Sequence, residues 1–200
     1  MAIDRTPVLK RCRQLGIDPV VLGYSSKKQS NRKPARQNRR RESEYAMQLR
    51  EKQKAKFIYG VLEKQFRGYF KKAKAAPGIT GENLMRILES RLDTVVFRLG
   101  FARTRKEERQ IVTHGHIHVN GQRVDVPSLR VRPGDLVSVG PKAKELLVIK
   151  SALLYNERAS VPAWLEVDIE KLQGSVLALP NRDQIDLDIR EQLIVELYSK

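Results

Sequence analysis

An α+β fold is predicted for this 200-residue chain: a helical N-terminal domain, then a two-helix unit followed by a small, mostly antiparallel β-sheet. Three observations carry that expectation. Apolar residues recur at helical spacing between positions 62 and 99. Asn120-Gly121 stands between HIHV and QRV, a strong hairpin signal because both central residues of that turn need positive φ. Pro127 and Pro133-Gly134-Asp135 then punctuate short β-rich runs, LRV and LVSV.

Residues 1–42 are expected to form a basic, disordered-like arm. Positions 1–41 alone hold twelve Lys and Arg against Asp4 and Asp18. The stretch 25–41, SSKKQSNRKPARQNRRR, has no large apolar side chain and cannot bury enough surface to fold alone. Its charge suits an arm that orders on RNA.

A helical domain is expected over 43–90. Ser43 is an N-cap for SEYAMQLREKQKAKF, and Gly60 interrupts. Phe66, Tyr69, Phe70 and Ala73 then share one helix face, which at this spacing belongs to a core rather than to base stacking. Pro77-Gly78 ends that helix. After Thr80, Leu84, Ile87 and Leu88 point inward. Ser90 and Asp93 read as a new start, although one helix from about 82 to 99 fits equally well.

The module at 91–152 begins with Leu92, Val95, Val96 and Leu99 as a buried stripe. Thr104 and Glu107 match a capping box, so a second helix runs from about 105 to 114, with Ile111 and Val112 inward and Gly115 as its stop. Past Gly140, ELLVI, AWLEVDI and SVLALP read as strands within 145–180. The end, EQLIVELYSK, fits helix or strand.

Net charge is +16. Such a balance points to polyphosphate partners and says nothing of fold. The last forty residues run the other way, with four basic and eight acidic side chains, and suit contact with protein rather than phosphate. No apolar run reaches the roughly 20 residues of a membrane span, and the N-terminus lacks a secretory apolar core, so a cytoplasmic location is expected. One cysteine, Cys12, forms no internal disulfide.

The functional constellation lies on the second module helix and the hairpin after it. With Ile111 and Val112 inward, Arg105, Lys106 and Arg109 fall to the outer surface, Arg103 precedes them, and His114, His116 and Arg123 follow. Only Glu107, Glu108 and Asp125 oppose the eight Arg and Lys between 98 and 132. Arg suits phosphate because its planar fork donates two hydrogen bonds to it. Contacts of this kind position a protein on RNA and carry little sequence information. Arg39, Arg40, Arg41, Arg50, Lys52, Lys54, Lys56 and Arg91 extend the candidate RNA-binding set toward the N-terminus. His116 and His118 share a strand face, but with no cysteine and only Asp125 nearby they suit hydrogen bonding better than a metal. No catalytic set and no cofactor site is apparent.

At these residues the chain resembles the S4 RNA-binding module: RLD, RLGFA, HGHI, VNG and RPGD occur in order at family spacing. Residues 42–70 and the end, LPNRDQIDLDIREQLIVELYSK, are similar to the flanks of that module in the bacterial uS4 family of small-subunit ribosomal proteins. The resemblance covers 42–200 well and 5–24 weakly. It implies direct binding to small-subunit ribosomal RNA, nucleation of the subunit body and a contribution to translational accuracy. Implied partners are neighbouring small-subunit proteins and mRNA where it enters the subunit. It also implies that residues 153–200 comprise strands and a tail that packs back on the N-terminal helices. Many relatives hold zinc with four N-terminal cysteines; with Cys12 alone this chain resembles the cysteine-poor variant, so no metal is expected. SNRKPARQNRRR replaces the Tyr-Pro-Pro-Gly-Gln-His-Gly run of many relatives.

Other function classes fit less well. An RNA-modifying enzyme carrying the same module needs a catalytic domain, and only about ninety residues precede the module and sixty follow. A free-standing binder of stalled particles leaves the matching C-terminus without a role. A membrane-surface protein lacks a basic amphipathic helix with a large apolar face.

Overall fold

The computed structural model describes residues 6–25, 43–156 and 160–199. The fold is α+β, as expected. Its helices are α1 (Val8–Leu15), α2 (Glu44–Ile58), α3 (Glu63–Ala75), α4 (Thr80–Glu89), α5 (Leu92–Arg98), α6 (Arg105–Thr113), α7 (Leu147–Asn156) and α8 (Glu191–Ser199). The strands are β1 (Ile117–Val119), β2 (Gln122–Val124), β3 (Leu136–Val139), β4 (Leu165–Asp168) and β5 (Gln173–Val176). They form one antiparallel sheet in the order β2-β1-β3-β5-β4.

Two apolar cores organise the chain. The first gathers Cys12, Leu15, Leu22, Ile58, Phe66, Phe70, Leu84 and Leu88 with Ile185, Leu187, Ile189 and Ile194 from the C-terminal end. The second gathers Leu92, Val95, Val96, Phe101, Ile111 and Val112 with the sheet residues Ile117, Val137, Val139 and Val176 and with Trp164. Residues 185–199 thus return to the N-terminal helices. Of the segment 153–200 expected to pack there, β4 and β5 instead complete the sheet, because their apolar side chains face the second core.

Most local readings hold. Ser43 Oγ accepts from the Ala46 amide and caps α2. Phe66, Tyr69, Phe70 and Ala73 are all buried. Thr104 and Glu107 form the full capping box on α6. Asn120 and Gly121 take φ of 51° and 81° in the hairpin.

Four readings are corrected. The arm expected over 1–42 is not disordered-like throughout: Val8–Leu15 form α1, and Cys12, Leu15 and Leu22 enter the first core because they are the apolar positions of an otherwise basic segment. Ser90 does not cap α5; its hydroxyl donates to the Ile87 carbonyl, and the extended residue between α4 and α5 is Arg91. The chain therefore breaks there, and one helix over 82–99 does not form. LRV at 129–131 is no strand; it backs on the α4–α5 junction through a single bridge between Arg91 and Arg130. ELLVI is not a strand either. Its apolar residues begin α7, which buries Ile149 and Ala152 and leaves Leu147 and Leu154 exposed. The final segment, open between helix and strand, is α8.

The C-terminal return is held by polar as well as apolar contacts. Arg182 donates to the carbonyls of Ile185, Leu187 and Ile189 and pairs with Glu191. Gln48 donates to Glu196, and Lys54 pairs with Asp188 at 3.0 Å. A Cβ at Gly81 would lie 2.6 Å from the Glu191 side chain, so glycine there allows α8 to seat on α4.

A polar seam separates the two cores. Glu89 is fully buried and accepts from Tyr59 Oη at 2.7 Å and from Arg98 Nη2 at 2.9 Å. Burial pushes its carboxyl up, but Arg98 outweighs that and holds it below the usual range. Arg91 is likewise buried, paired with Asp93 and bonded to the Tyr69 hydroxyl.

Two outcomes are expected. Arg98→Ala leaves Glu89 buried without its cation and should cost about 3–5 kcal/mol of unfolding free energy, read by urea titration; a loss under about 1 kcal/mol would contradict the seam's role. Glu63 gives a pH test. Partial burial raises its carboxyl, but bonds from Lys56, Tyr198 and Lys52 bring it from 4.5 to about 2. A depressed carboxyl stabilises above its unfolded value and loses that contribution as pH falls through the folded one. Glu63→Gln should therefore lower the thermal midpoint at pH 7, and by progressively less as pH falls from 4.5 toward 2; a gap that does not shrink over that range refutes the assignment.

Candidate nucleic-acid interface

The sequence-selected cations separate into three groups. Arg103, Lys106, His114 and Arg123 are exposed, and Arg109 and His116 are half-buried beside them. Lys106 and Arg109 lie on α6 and Arg123 on β2, while Arg103 precedes α6 and His114 and His116 lie between α6 and β1. Gly115 makes the convergence feasible. Its φ is +70°, and a Cβ there would lie 2.2 Å from Arg123 Nε. Arg123 thus folds across the end of α6 and donates to the His114 carbonyl at 3.2 Å. The His114 and His116 rings meet edge to face, 5.8 Å apart. Burial, then the neighbouring His114 and Arg123, lower the His116 pKa and favour its neutral form. Arg103 lies over the Tyr155 ring at 4.4 Å, a contact that steadies the guanidinium while leaving it exposed.

A second group is committed to the protein. Arg91 was expected on RNA but is buried in the seam, where Asp93 and Tyr69 use its fork. Lys54 is buried on Asp188 because its aliphatic stem lies between α2 and the returning tail. Lys52 and Lys56 both hold Glu63, at 3.2 and 2.7 Å, and so tie α2 to the start of α3. Arg50 is exposed on α2. The third group, Arg39, Arg40 and Arg41, lies outside the described residues.

Arg105 is the clearest correction. It was placed on the outer surface of α6, yet it is 7% exposed. The capping box explains this: it turns the first turn of α6 so that Arg105 and Glu108 face inward. Its guanidinium stacks between Tyr59 and Phe97, 5.1 and 4.8 Å from the ring centroids. Arg105 Nε, Nη1 and Nη2 have no hydrogen-bond partner among the described residues, and neither has Oε2 of the buried Glu108. Burial raises the Glu108 carboxyl well above its usual value, against the pull of Arg105.

These side chains line a cleft of about 690 Å³ between α6 and the N-terminal helices. Its lining also includes Arg11, Tyr24, Phe57, Lys56, Lys106 and Arg109. Arg109 spans it, donating to the Gly60 carbonyl at 2.5 Å. No local sequence signal marks this cleft, because its walls come from segments some forty to a hundred residues apart. Among the described residues no group of three or more His, Cys, Asp or Glu could hold a metal ion. No described helix is long and apolar enough to cross a membrane.

Comparison with known proteins agrees with the division at the α4–α5 junction. Residues 4–89 match the Ribosomal protein S4/S9 N-terminal domain, and residues 90–137 match the S4 domain. Small ribosomal subunit protein uS4 of Lachnospira eligens is 57% identical over the full length of both chains. The uS4 proteins of Fusobacterium nucleatum and Heliobacterium modesticaldum are 54% and 47% identical, again over all of both chains. With both domains matched and such identity end to end, the chain belongs to the uS4 family of small-ribosomal-subunit proteins, a family of ribosomal proteins and not of enzymes.

Proposed function

We propose that this chain is a structural constituent of the cytoplasmic small ribosomal subunit that binds small-subunit ribosomal RNA directly. The observation that carries the reading is the run of basic side chains along α6 and the hairpin after it: Lys106 and His114 line one cleft, Arg123 reaches back to the His114 carbonyl, and Arg103 stands exposed over Tyr155. Glu107, a carboxylate on the same helix, is occupied by the Arg103 and Thr104 amides. Arg103 and Arg123 are held by the Tyr155 ring and the His114 carbonyl, and cations positioned in this way recognise folded RNA by phosphate position and shape. Kinship with uS4 proteins supports the assignment to the ribosome.

Two finer roles follow from the same reading. A protein that pins two RNA segments with one rigid surface nucleates assembly of the subunit body. A protein that sits among other subunit proteins, near incoming mRNA, contributes to accuracy. The exposed Leu147 and Leu154 of α7 and the acidic tail offer surfaces for protein neighbours rather than for phosphate.

The protein should sediment stoichiometrically with small subunits and stay there through moderate salt; a chain found mainly free would overturn the assignment. Lys106→Ala and Arg123→Ala should each weaken binding to small-subunit ribosomal RNA and lower the slope of log affinity against log salt by about 1, since each removes one phosphate contact. An unchanged slope would remove that residue from the interface. Arg105→Ala is a poor probe of this surface, because its loss would disturb the seam.

A further inference from the structure

The foot of the β1–β2 hairpin gathers basic groups around one half-buried histidine. The Arg123 guanidinium packs on Gly115, where a Cβ would lie 2.2 Å from its Nε. Gly115 stands between His114 and His116, whose rings meet edge to face 5.8 Å apart. The main chain holds His116 in place from two sides. Its amide donates to the Ile111 carbonyl at 3.2 Å, and its carbonyl accepts from the Gly140 amide at 2.8 Å.

Negative charge is scarce around this ring. The charges that bear on it are those of His114, at the end of α6, and Arg123, on β2. From Arg109 onward α6 carries no acidic residue. His118 shares the strand face of His116 and stands opposite Arg123 in the hairpin register. The turn after Gly140 carries Lys142 and Lys144 before it reaches Glu145. Asp125, just past β2, is exposed and forms no ion pair among the described residues.

We propose that this foot is a proton-linked phosphate site, in which His116 takes up a proton when a phosphate of ribosomal RNA binds at Arg123. In the free protein, burial and then the neighbouring His114 and Arg123 disfavour the charged ring. A phosphate that accepts from Arg123 brings the missing negative charge beside it. The imidazolium is then stabilised and donates a second charge-assisted hydrogen bond to the same anion. Binding thus raises the His116 pKa. The added affinity is fully present below the free-state value and is lost as pH rises through the bound-state value. A lysine at this position would stay charged near neutral pH and would give no such dependence.

The inference rests on the RNA-binding reading above, and its test separates the two. Full-length protein is titrated with small-subunit ribosomal RNA at fixed salt from pH 6 to pH 8. Filter binding gives affinity, and calorimetry in buffers of different ionisation enthalpy gives proton uptake. Wild-type affinity should rise as pH falls, by up to about tenfold for each unit that phosphate adds to the His116 pKa. His116→Gln keeps a polar side chain that cannot be charged. Its deficit against the wild type should widen as pH falls, and its proton uptake should be smaller. Arg123→Gln removes the anchor from an exposed position and should lose the same uptake, which decides the matter if His116→Gln fails to fold. A deficit constant from pH 6 to pH 8, or wild-type uptake retained in full by a folded variant, overturns the proposal and leaves the RNA-binding reading standing. Wild-type protein that binds the RNA at no pH would overturn that reading itself.

Discussion

Two apolar cores that share one chain need something to fix their relative orientation, and here a buried polar seam does so. Apolar packing is non-directional and tolerates sliding. Hydrogen-bonded ion pairs do not, because a misaligned buried charge loses its partner. Glu89 takes Tyr59 from one domain and Arg98 from the other. Arg91 takes Tyr69 from α3 and Asp93 from the start of α5. The pairs gain little net stability over apolar residues of similar shape, but they specify an angle. The position of α6 against the N-terminal helices, and so the shape of the cleft, follows from that angle.

Much of this was legible in the sequence where the signal is local. A capping box, an Asn-Gly turn and an apolar stripe each act within a few residues, and each formed as read. The family resemblance was legible for the same reason, since its motifs are those local devices. What failed depended on distant partners. Arg91 and Arg105 look like surface cations because nothing nearby in sequence shows that Tyr69, Tyr59 and Phe97 will surround them. Lys54 is hidden by a tail more than a hundred residues away. ELLVI has strand composition, yet the sheet already has β5 along the open side of β3, so the segment closes the second core as a helix.

The surface left after those corrections is smaller than the charge count suggests. Several of the cations first assigned to RNA hold the protein together instead. Apart from Arg50 on α2, the described ones that stay exposed are carried on or beside one capped helix and one tight hairpin, joined by Arg123 across Gly115. A few rigidly held cations locate a phosphate backbone better than many mobile ones, because less side-chain freedom is lost on contact. The specificity of such a surface lies in its spacing.

The return of the tail has a consequence for how the protein is made. The module with the second core is threaded between two parts of the helical domain, since Phe66 and Leu88 share their core with Ile185 and Ile194. During synthesis the inner unit has all its residues by Val176. The outer one lacks part of its interior until residues 185–199 are added, so the domain begun first is completed last. Any chain released early would carry a finished sheet and an open N-terminal core, with Phe70 missing the ring of Tyr198 that stacks on it at 4.6 Å. Residues 185–199 are thereby a condition for closing the first core.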